Sequence, residues 1–465
     1  MNMKRWSLYL LICLILVGAW CLFNQLESTD TELSVFGFKI ELQQEKVSGQ
    51  VIDEDGKPLV AEIRFFDSEG GLVKRIQTNL KGEFGIHLDE GYYTIELSRG
   101  YEYERKSIPV EVRQGQPVQV KPTILTRLID WRAKDYYGGD FNQHSHFSSE
   151  GQNTVEEVLT ANLANGLSYG ALADENTVDG NDEWNALADQ VHYLALSGQT
   201  VMHRQQRYVA VNVPKQLTLD SEASIDSINQ LGHQIHESNG ILLTDALNDS
   251  IKSLLEGKGI DAIEIWNGQQ VPPIRRLEGL EKKMTANVLR REKWFELLNQ
   301  GMKITAVANS NNYDINGALI GEGITKNEHY NRWLADGGSV GEPRNYIKAD
   351  ELTVAGILKG IKEGHVFMTN GPLMDITIND KTFGDEISGV TDAEIAYLVT
   401  SNQSELMQLN IIADGEIIQE VPLAKNVPNL GTLNLNLSDY QWVAFEVLTT
   451  SYEYALSNPI YLKAD

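Results

Sequence analysis

The chain has 465 residues, and at roughly 150 residues per domain that length suggests about three domains. Hydrophobic residues make up 42% and charged residues 22%, a globular balance that excludes a mainly disordered chain. Lys and Arg number 39 against 65 Asp and Glu, a formal charge of −26, which repels phosphate backbones and argues against a nucleic-acid partner.

Lys4 and Arg5 precede an apolar run over residues 6–23. Eighteen residues of helix span about 27 Å, near the thickness of a hydrocarbon core. The positive flank predicts that everything after residue 23 lies outside the cytoplasm. An uncleaved signal anchor is the first reading, and it makes the membrane a partner through this helix. Two others stay open: a cleaved signal peptide ending near Val17-Gly18-Ala19, and a lipid anchor on Cys21. Cys13 and Cys21 are the chain's two cysteines, so the exported part has no disulfide.

Residues 34–126 read as a β-sandwich. Glu62-Ile63-Arg64-Phe65 alternates polar and apolar, and turn signals recur at Asp53-Glu54-Asp55-Gly56, Glu69-Gly70-Gly71, Lys81-Gly82 and Glu90-Gly91. The order of Gly49-Gln50-Val51, the Asp55-to-Pro58 turn, Thr78, Gly82-Glu83-Phe84 and Gly91-Tyr92-Tyr93 resembles the carboxypeptidase regulatory-like domain. That resemblance implies a non-catalytic β module.

Over residues 127–370 the period changes. Val155, Val158, Leu159 and Leu163 fall at helical spacing, with Thr154 and Glu157 as a capping box and Gly166 as a stop. Ile225, Ile228, Leu231 and Ile235 mark a second helix. Short apolar runs lie at residues 167–173, 241–243, 262–266 and 304–307. Helices alternating with such runs predict βα units in a parallel sheet or barrel, with chemistry at the C-terminal strand ends. Polar clusters sit there: Gly139-Asp140-Phe141-Asn142-Gln143-His144-Ser145, Ala173-Asp174-Glu175-Asn176, Thr244-Asp245-Ala246, Glu264-Ile265-Trp266-Asn267-Gly268 and Asn309-Ser310-Asn311-Asn312-Tyr313.

This succession resembles the PHP-type metallohydrolases, and within them the CehA/McbA (carbaryl hydrolase-like) branch. The framing motifs are Glu264-Ile265-Trp266-Asn267-Gly268, Gly341-Glu342-Pro343-Arg344-Asn345-Tyr346 and the run from Glu363 to Pro372 that contains His365-Val366-Phe367-Met368-Thr369-Asn370-Gly371. The resemblance implies a distorted β/α barrel and a cluster of divalent ions held by His and carboxylates. It lays the first motif's two His on Asn142 and His144, the Asp of Asp-Gly on Glu150, and the second motif's His on Glu175. The His of His-Pro falls on Asp245, and the last motif's Asp and His fall on Asn311 and Tyr313. Of the positions 142, 144, 175, 245, 311 and 313, His144 alone keeps the family residue. Where a Gly-x-Glu is expected, the chain has Arg204 and Arg207, which repel a cation.

The expectation is therefore a pseudoenzyme: a hydrolase barrel kept as an extracytoplasmic scaffold or binding module. Asp140, His144, Glu175, Asp245 and Glu264 are the candidate ligands if a cation binds. Their oxygen-rich set suits one calcium or magnesium ion better than zinc or manganese. The alternative is an active hydrolase of phosphoesters, esters or carbamates with a reduced metal site, in which His144 is a ligand or general base. His146 reads as a polar loop residue, and His233 and His236 as an exposed helix face. Gly337-Gly338 lacks a following Gly-Lys-Ser/Thr and is no phosphate loop. From residue 371 the strand period returns, with Leu433-Asn434-Leu435-Asn436-Leu437 alternating cleanly, and residues 371–465 read as a second β-sandwich.

Overall fold

A computed structural model describes residues 33–35, 38–40, 45–268, 285–315, 339–388, 390–451 and 453–463. The apolar run at residues 6–23, both cysteines and Gly337-Gly338 lie outside the described residues. Among the described residues no helix is long and apolar enough to cross a membrane.

The first unit is a sandwich of two sheets. In one, β1 (Glu45–Ile52) pairs with β4 (Glu83–Leu88) and with two short strands, Val118–Gln119 and Thr123–Ile124. In the other, the order is β3 (Leu72–Gln77), β2 (Glu62–Phe66), β5 (Gly91–Ser98) and β6 (Lys106–Val112). Val47, Val51, Ile63, Phe65, Phe84 and Ile95 fill the space between them. Burial does not follow simple alternation in β2: Glu62 and Arg64 are buried as well, because that face meets the barrel.

The barrel begins with β7 (Tyr136–Gln143). Then come α1 (Val155–Ala164), β8 (Tyr169–Leu172), α2 (Asn181–Val191), the hairpin β9 (Leu194–His203) and β10 (Gln206–Val211), α3 (Ile225–Glu237) and β11 (Ile241–Asp245). After these follow α4 (Ile251–Glu256), β12 (Ala262–Asn267), α5 (Thr285–Asn299), β13 (Thr305–Asn309), β14 (Arg344–Lys348), α6 (Val354–Glu363) and β15 (Val366–Thr369). The periodicity in residues 154–165 forms α1, and Thr154 and Glu157 make the expected reciprocal capping box. Strands β7, β8 and β9 are parallel, as are β11, β12 and β13. The expectation of a parallel sheet needs amending at two places. Strand β10 runs antiparallel to both β9 and β11, and β14 runs antiparallel to β7 and β15. Gly139 is fixed by packing: a Cβ there would come within 2.4 Å of the Tyr169 ring.

No backbone ladder joins β13 to β7 or β14 among the described residues; β13 pairs with β12 alone. Asparagine side chains take over. Asn309 Oδ1 accepts from Phe141 N at 3.0 Å, and Asn345 Oδ1 accepts from Ala308 N at 2.8 Å while its Nδ2 donates to Ala308 O at 2.6 Å. Asn458 does the same for Ala306, accepting at 2.7 Å and donating at 2.9 Å. A primary amide carries the same donor and acceptor as a peptide group, so it can satisfy an unpaired strand.

The last unit contains β16 (Leu373–Ile378), β17 (Ala393–Thr400), β18 (Leu406–Ala413), β19 (Glu416–Pro422), β20 (Asn429–Leu435), β21 (Trp442–Thr449), β22 (Tyr454–Ser457) and β23 (Ile460–Leu462). One of its sheets is β16-β17-β20. The other, β22-β21-β18-β19, continues the barrel sheet, because β15 pairs with β22 through Phe367↔Ser457, Met368↔Leu456 and Thr369↔Ala455.

Candidate functional site

The polar clusters read from the sequence do lie at strand ends. Asp140, Asn142 and His144 come from β7 and the residue just past it. Glu175 follows β8, Arg207 is on β10, Asp245 ends β11, Glu264 is in β12, and Asn311 and Tyr313 follow β13. Strand register sets Asp245 beside Glu264, and Glu264 beside Val307.

Asp140 is fully buried and holds loops rather than facing an open site. Its carboxylate accepts from Asn142 N at 3.0 Å, from Ser310 N at 3.2 Å, from the Ser310 hydroxyl and from Gly341 N at 3.2 Å. Burial still pushes its pKa up to about 6, outweighing these donors.

His144 is also fully buried. Its Nδ1 lies 3.1 Å from Ser148 Oγ. Ser148 Oγ in turn donates to Asp174 Oδ1 at 2.8 Å and accepts from Glu175 N at 3.0 Å. A carboxylate only accepts, so the Ser148 proton belongs to Asp174, and His144 must supply its own proton from Nδ1. Nε2 is left with a bare lone pair, and it meets no partner of hydrogen-bonding geometry. Burial first, and the Arg207 charge second, push the imidazolium pKa down to about 3. The ring stacks on Tyr313 at 3.9 Å between centroids and 9° between planes.

Tyr313 donates to Glu175 Oε1 at 2.7 Å, and Ser149 Oγ donates to Glu175 Oε2 at 3.1 Å. Burial and the Glu175 charge raise the Tyr313 phenol well above its ordinary range, so it stays protonated and a donor. Asn142 Nδ2 donates to Asn311 Oδ1 at 3.1 Å, and its own Oδ1 is buried without a partner.

Arg207 occupies the centre of this arrangement. Its Nη1 donates to Asn311 Oδ1 at 2.7 Å, and its Nη2 lies 3.7 Å from Glu264 Oε2. Glu264 also accepts from Asn309 Nδ2 at 2.9 Å and from Asn267 Nδ2. A second guanidinium, Arg290 of α5, clamps Asp245, with Nε at 3.0 Å from both carboxylate oxygens and Nη2 at 2.7 Å from Oδ2. Asn142, Asn311 and Glu264 thus gather around Arg207, while His144, Tyr313 and Glu175 form a second group through the ring stack and the Tyr313 hydrogen bond, and the Arg207 charge acts on both His144 and Tyr313. Asp140 and Asp245 are held apart from both by their own partners.

This donor set does not fit a divalent cluster. Among the described residues no three His, Cys, Asp or Glu side chains come together to hold a metal ion. A guanidinium beside Glu264 and another on Asp245 supply positive charge that a metal would otherwise bring. Glu150 is exposed, and His146 is exposed with its ring against Phe147 at 4.3 Å, so neither extends the cluster. His236 bonds Asp261 at 2.8 Å from the far end of α3.

The sequence pointed to Arg207 as a cation in the wrong place. Arg290 carried no signal, because it reaches Asp245 from a helix 45 residues further along the chain. Ser148 was missed too, because the fold and not any local spacing brings its hydroxyl between His144 and Asp174.

No family profile matches this chain, and no curated protein matches it. Solved structures that it is similar to include a two-domain protein of Bacteroides vulgatus containing a predicted PHP-like metal-dependent phosphoesterase. That protein is 11% identical, with a TM-score of 0.39, over 69% of this chain and 95% of the other. A candidate metal-dependent phosphoesterase of Bifidobacterium adolescentis is 14% identical, with a TM-score of 0.25, over 43% of this chain and 96% of the other. An amidohydrolase of Chromobacterium violaceum, with bound sulfate and no metal, is 13% identical, with a TM-score of 0.28, over 38% of this chain and 87% of the other. At this level of superposition the likeness carries no argument about this chain's chemistry.

Proposed function

We propose that this chain is a PHP-type barrel of the CehA/McbA kind whose mouth has been rebuilt as a metal-free hydrogen-bonded network. It acts outside the cytoplasm as a non-catalytic binding module, held at the membrane by its N-terminal helix. The observation that carries this reading is Arg207. A fixed guanidinium bonded to Asn311 and set beside Glu264 lies among the strand ends where hydrolysis would need a cation and an activated water. Arg290 on Asp245 points the same way.

One observation favours the alternative, an active hydrolase with a reduced site. His144 is oriented as metal-ligating histidines are, with Nδ1 held by a hydroxyl and Nε2 bare. Metal analysis of the purified protein separates the two. The proposal expects less than one tenth of an equivalent of any divalent ion, a melting temperature unmoved by chelator, zinc, manganese or calcium, and no turnover of phosphoester, ester or carbamate panels. Stoichiometric zinc or manganese with chelator-sensitive hydrolysis sinks it.

A further inference from the structure

The C-terminal sheet meets the barrel helix α5 across a cavity of about 720 Å³. That volume falls in the range of small-molecule sites, which favour the seams between domains. Asn410, Glu446 and Arg291 form its polar floor. Register places Glu420, Asn410 and Glu446 opposite one another on β19, β18 and β21, so one polar row runs from the exposed rim to the floor. Asn410, Glu446 and Arg291 of α5 are 2%, 4% and 3% exposed. Arg291 Nη1 donates to Glu446 Oε2 at 2.9 Å, Asn410 Nδ2 donates to Glu446 Oε1 at 2.9 Å, and Gln408 donates to Asn410 Oδ1. Arg291 Nε, a buried donor on a residue lining the cavity, has no hydrogen-bond partner.

The chemistry of this floor selects its ligand. The Arg291–Glu446 pair cancels its own charge, so the buried part is neutral and rich in planar groups that offer donors beside acceptors. Glu416 and Glu420 at the rim repel anions. Ile412, Ile417 and Leu448 add apolar surface beside the polar row. Vicinal hydroxyls are donor and acceptor at once, and a sugar ring also carries apolar C–H faces.

We propose that this cavity binds a neutral, hydroxyl-rich saccharide, with the second amide N–H of Gln408 and of Gln419 donating to its hydroxyls, the rim carboxylates accepting from them, and Arg291 holding Glu446 in place beneath. The site lies outside the strand-end network, and it does not rest on the loss of catalysis: an active hydrolase would carry the same cavity. The test uses the full chain with glucose, N-acetylglucosamine and maltotriose as probes, and spermidine as a cationic control. Saturation-transfer NMR and calorimetry read binding. At least one neutral saccharide should bind saturably, and Gln419→Ala, at the rim, should weaken it at least tenfold with the melting temperature unchanged. Gln408→Ala, nearer the floor, should do the same. Absence of saturable saccharide binding overturns the proposal, as does equal binding by both variants. Binding of spermidine in place of the saccharides overturns it in favour of a cationic ligand.

Discussion

Two buried groups a few residues apart carry opposite proton linkages. His144 is neutral when folded, with its pKa lowered from 6.5 to about 3, so the unfolded chain binds one more proton between those values. Its stabilising contribution is complete above pH 6.5 and is lost as pH falls toward 3. Asp140 is raised from 3.8 to about 6, so the folded chain binds one more proton there, and its contribution is lost as pH rises through that window. Between about pH 4 and 6 the two cancel. His144→Asn removes one side of the balance. The stability of the wild type minus that of His144→Asn should therefore fall by about 1.4 kcal/mol per pH unit on going from pH 6 to 4. Urea unfolding at several pH values reads this directly, and a flat difference would show that His144 titrates normally. Arg207→Met removes one of the two donors to Asn311 Oδ1 and the cation beside the buried Glu264, at a cost of about 1–3 kcal/mol. With the guanidinium gone, added calcium or manganese should recover part of the lost melting temperature, whereas the parent should not respond. The Asp245–Arg290 pair is nearly buried, so Arg290→Ala should cost about 3–5 kcal/mol, and the Asp245→Asn, Arg290→Met double variant clearly less. Arg207 was legible in the sequence because a cation stood where a carboxylate was expected. Its partners were not, since hydrogen bonds between distant strands leave no local pattern.

Helices with caps and strands with clean alternation could be read almost as they fold. Thr154 and Glu157 bracket an apolar period, and they meet in space as they do in sequence. Thr154→Ala should lower stability by about 1 kcal/mol, measurable in the same unfolding assay. Arg204 and Gln205 were harder, because they form the tight turn of the β9–β10 hairpin and both take positive φ. Neither is glycine, so the turn carried no punctuation. The framing motifs gave a different lesson. Asn345 stands in the framing motif Glu342-Pro343-Arg344-Asn345-Tyr346, and with Asn458 it turns out to be a clamp on β13. Their identity reflects a geometric demand for an amide of that length at that point. Catalysis would not need them there.

At the scale of the molecule, the three segments marked by changes of period are joined more firmly than those changes suggest. Glu62 of the first sandwich accepts from Ser339 at 3.0 Å, while Arg64 pairs with it at 2.5 Å. Tyr101 donates to Glu342 at 3.0 Å, and Arg344 lies 3.9 Å over its ring. Gln403 of the last unit donates to Gly100 O at 2.9 Å. Periodicity finds where one kind of element gives way to another, but it cannot see charged side chains such as Glu62 and Arg64 on the buried face of a strand. Removing one partner from such a network leaves a buried charge behind. Calorimetry should therefore give one unfolding transition for the whole chain. Glu62→Ala should lower its temperature without splitting it, and separate peaks for the first sandwich and the barrel would contradict this.

The pairing of β15 with β22 carries the barrel sheet into the last unit without a break. A cut at residue 371 would therefore expose a raw strand on both fragments, each a template for unwanted pairing. Any variant of this protein that shortens its tail must either rebuild that edge or aggregate through it.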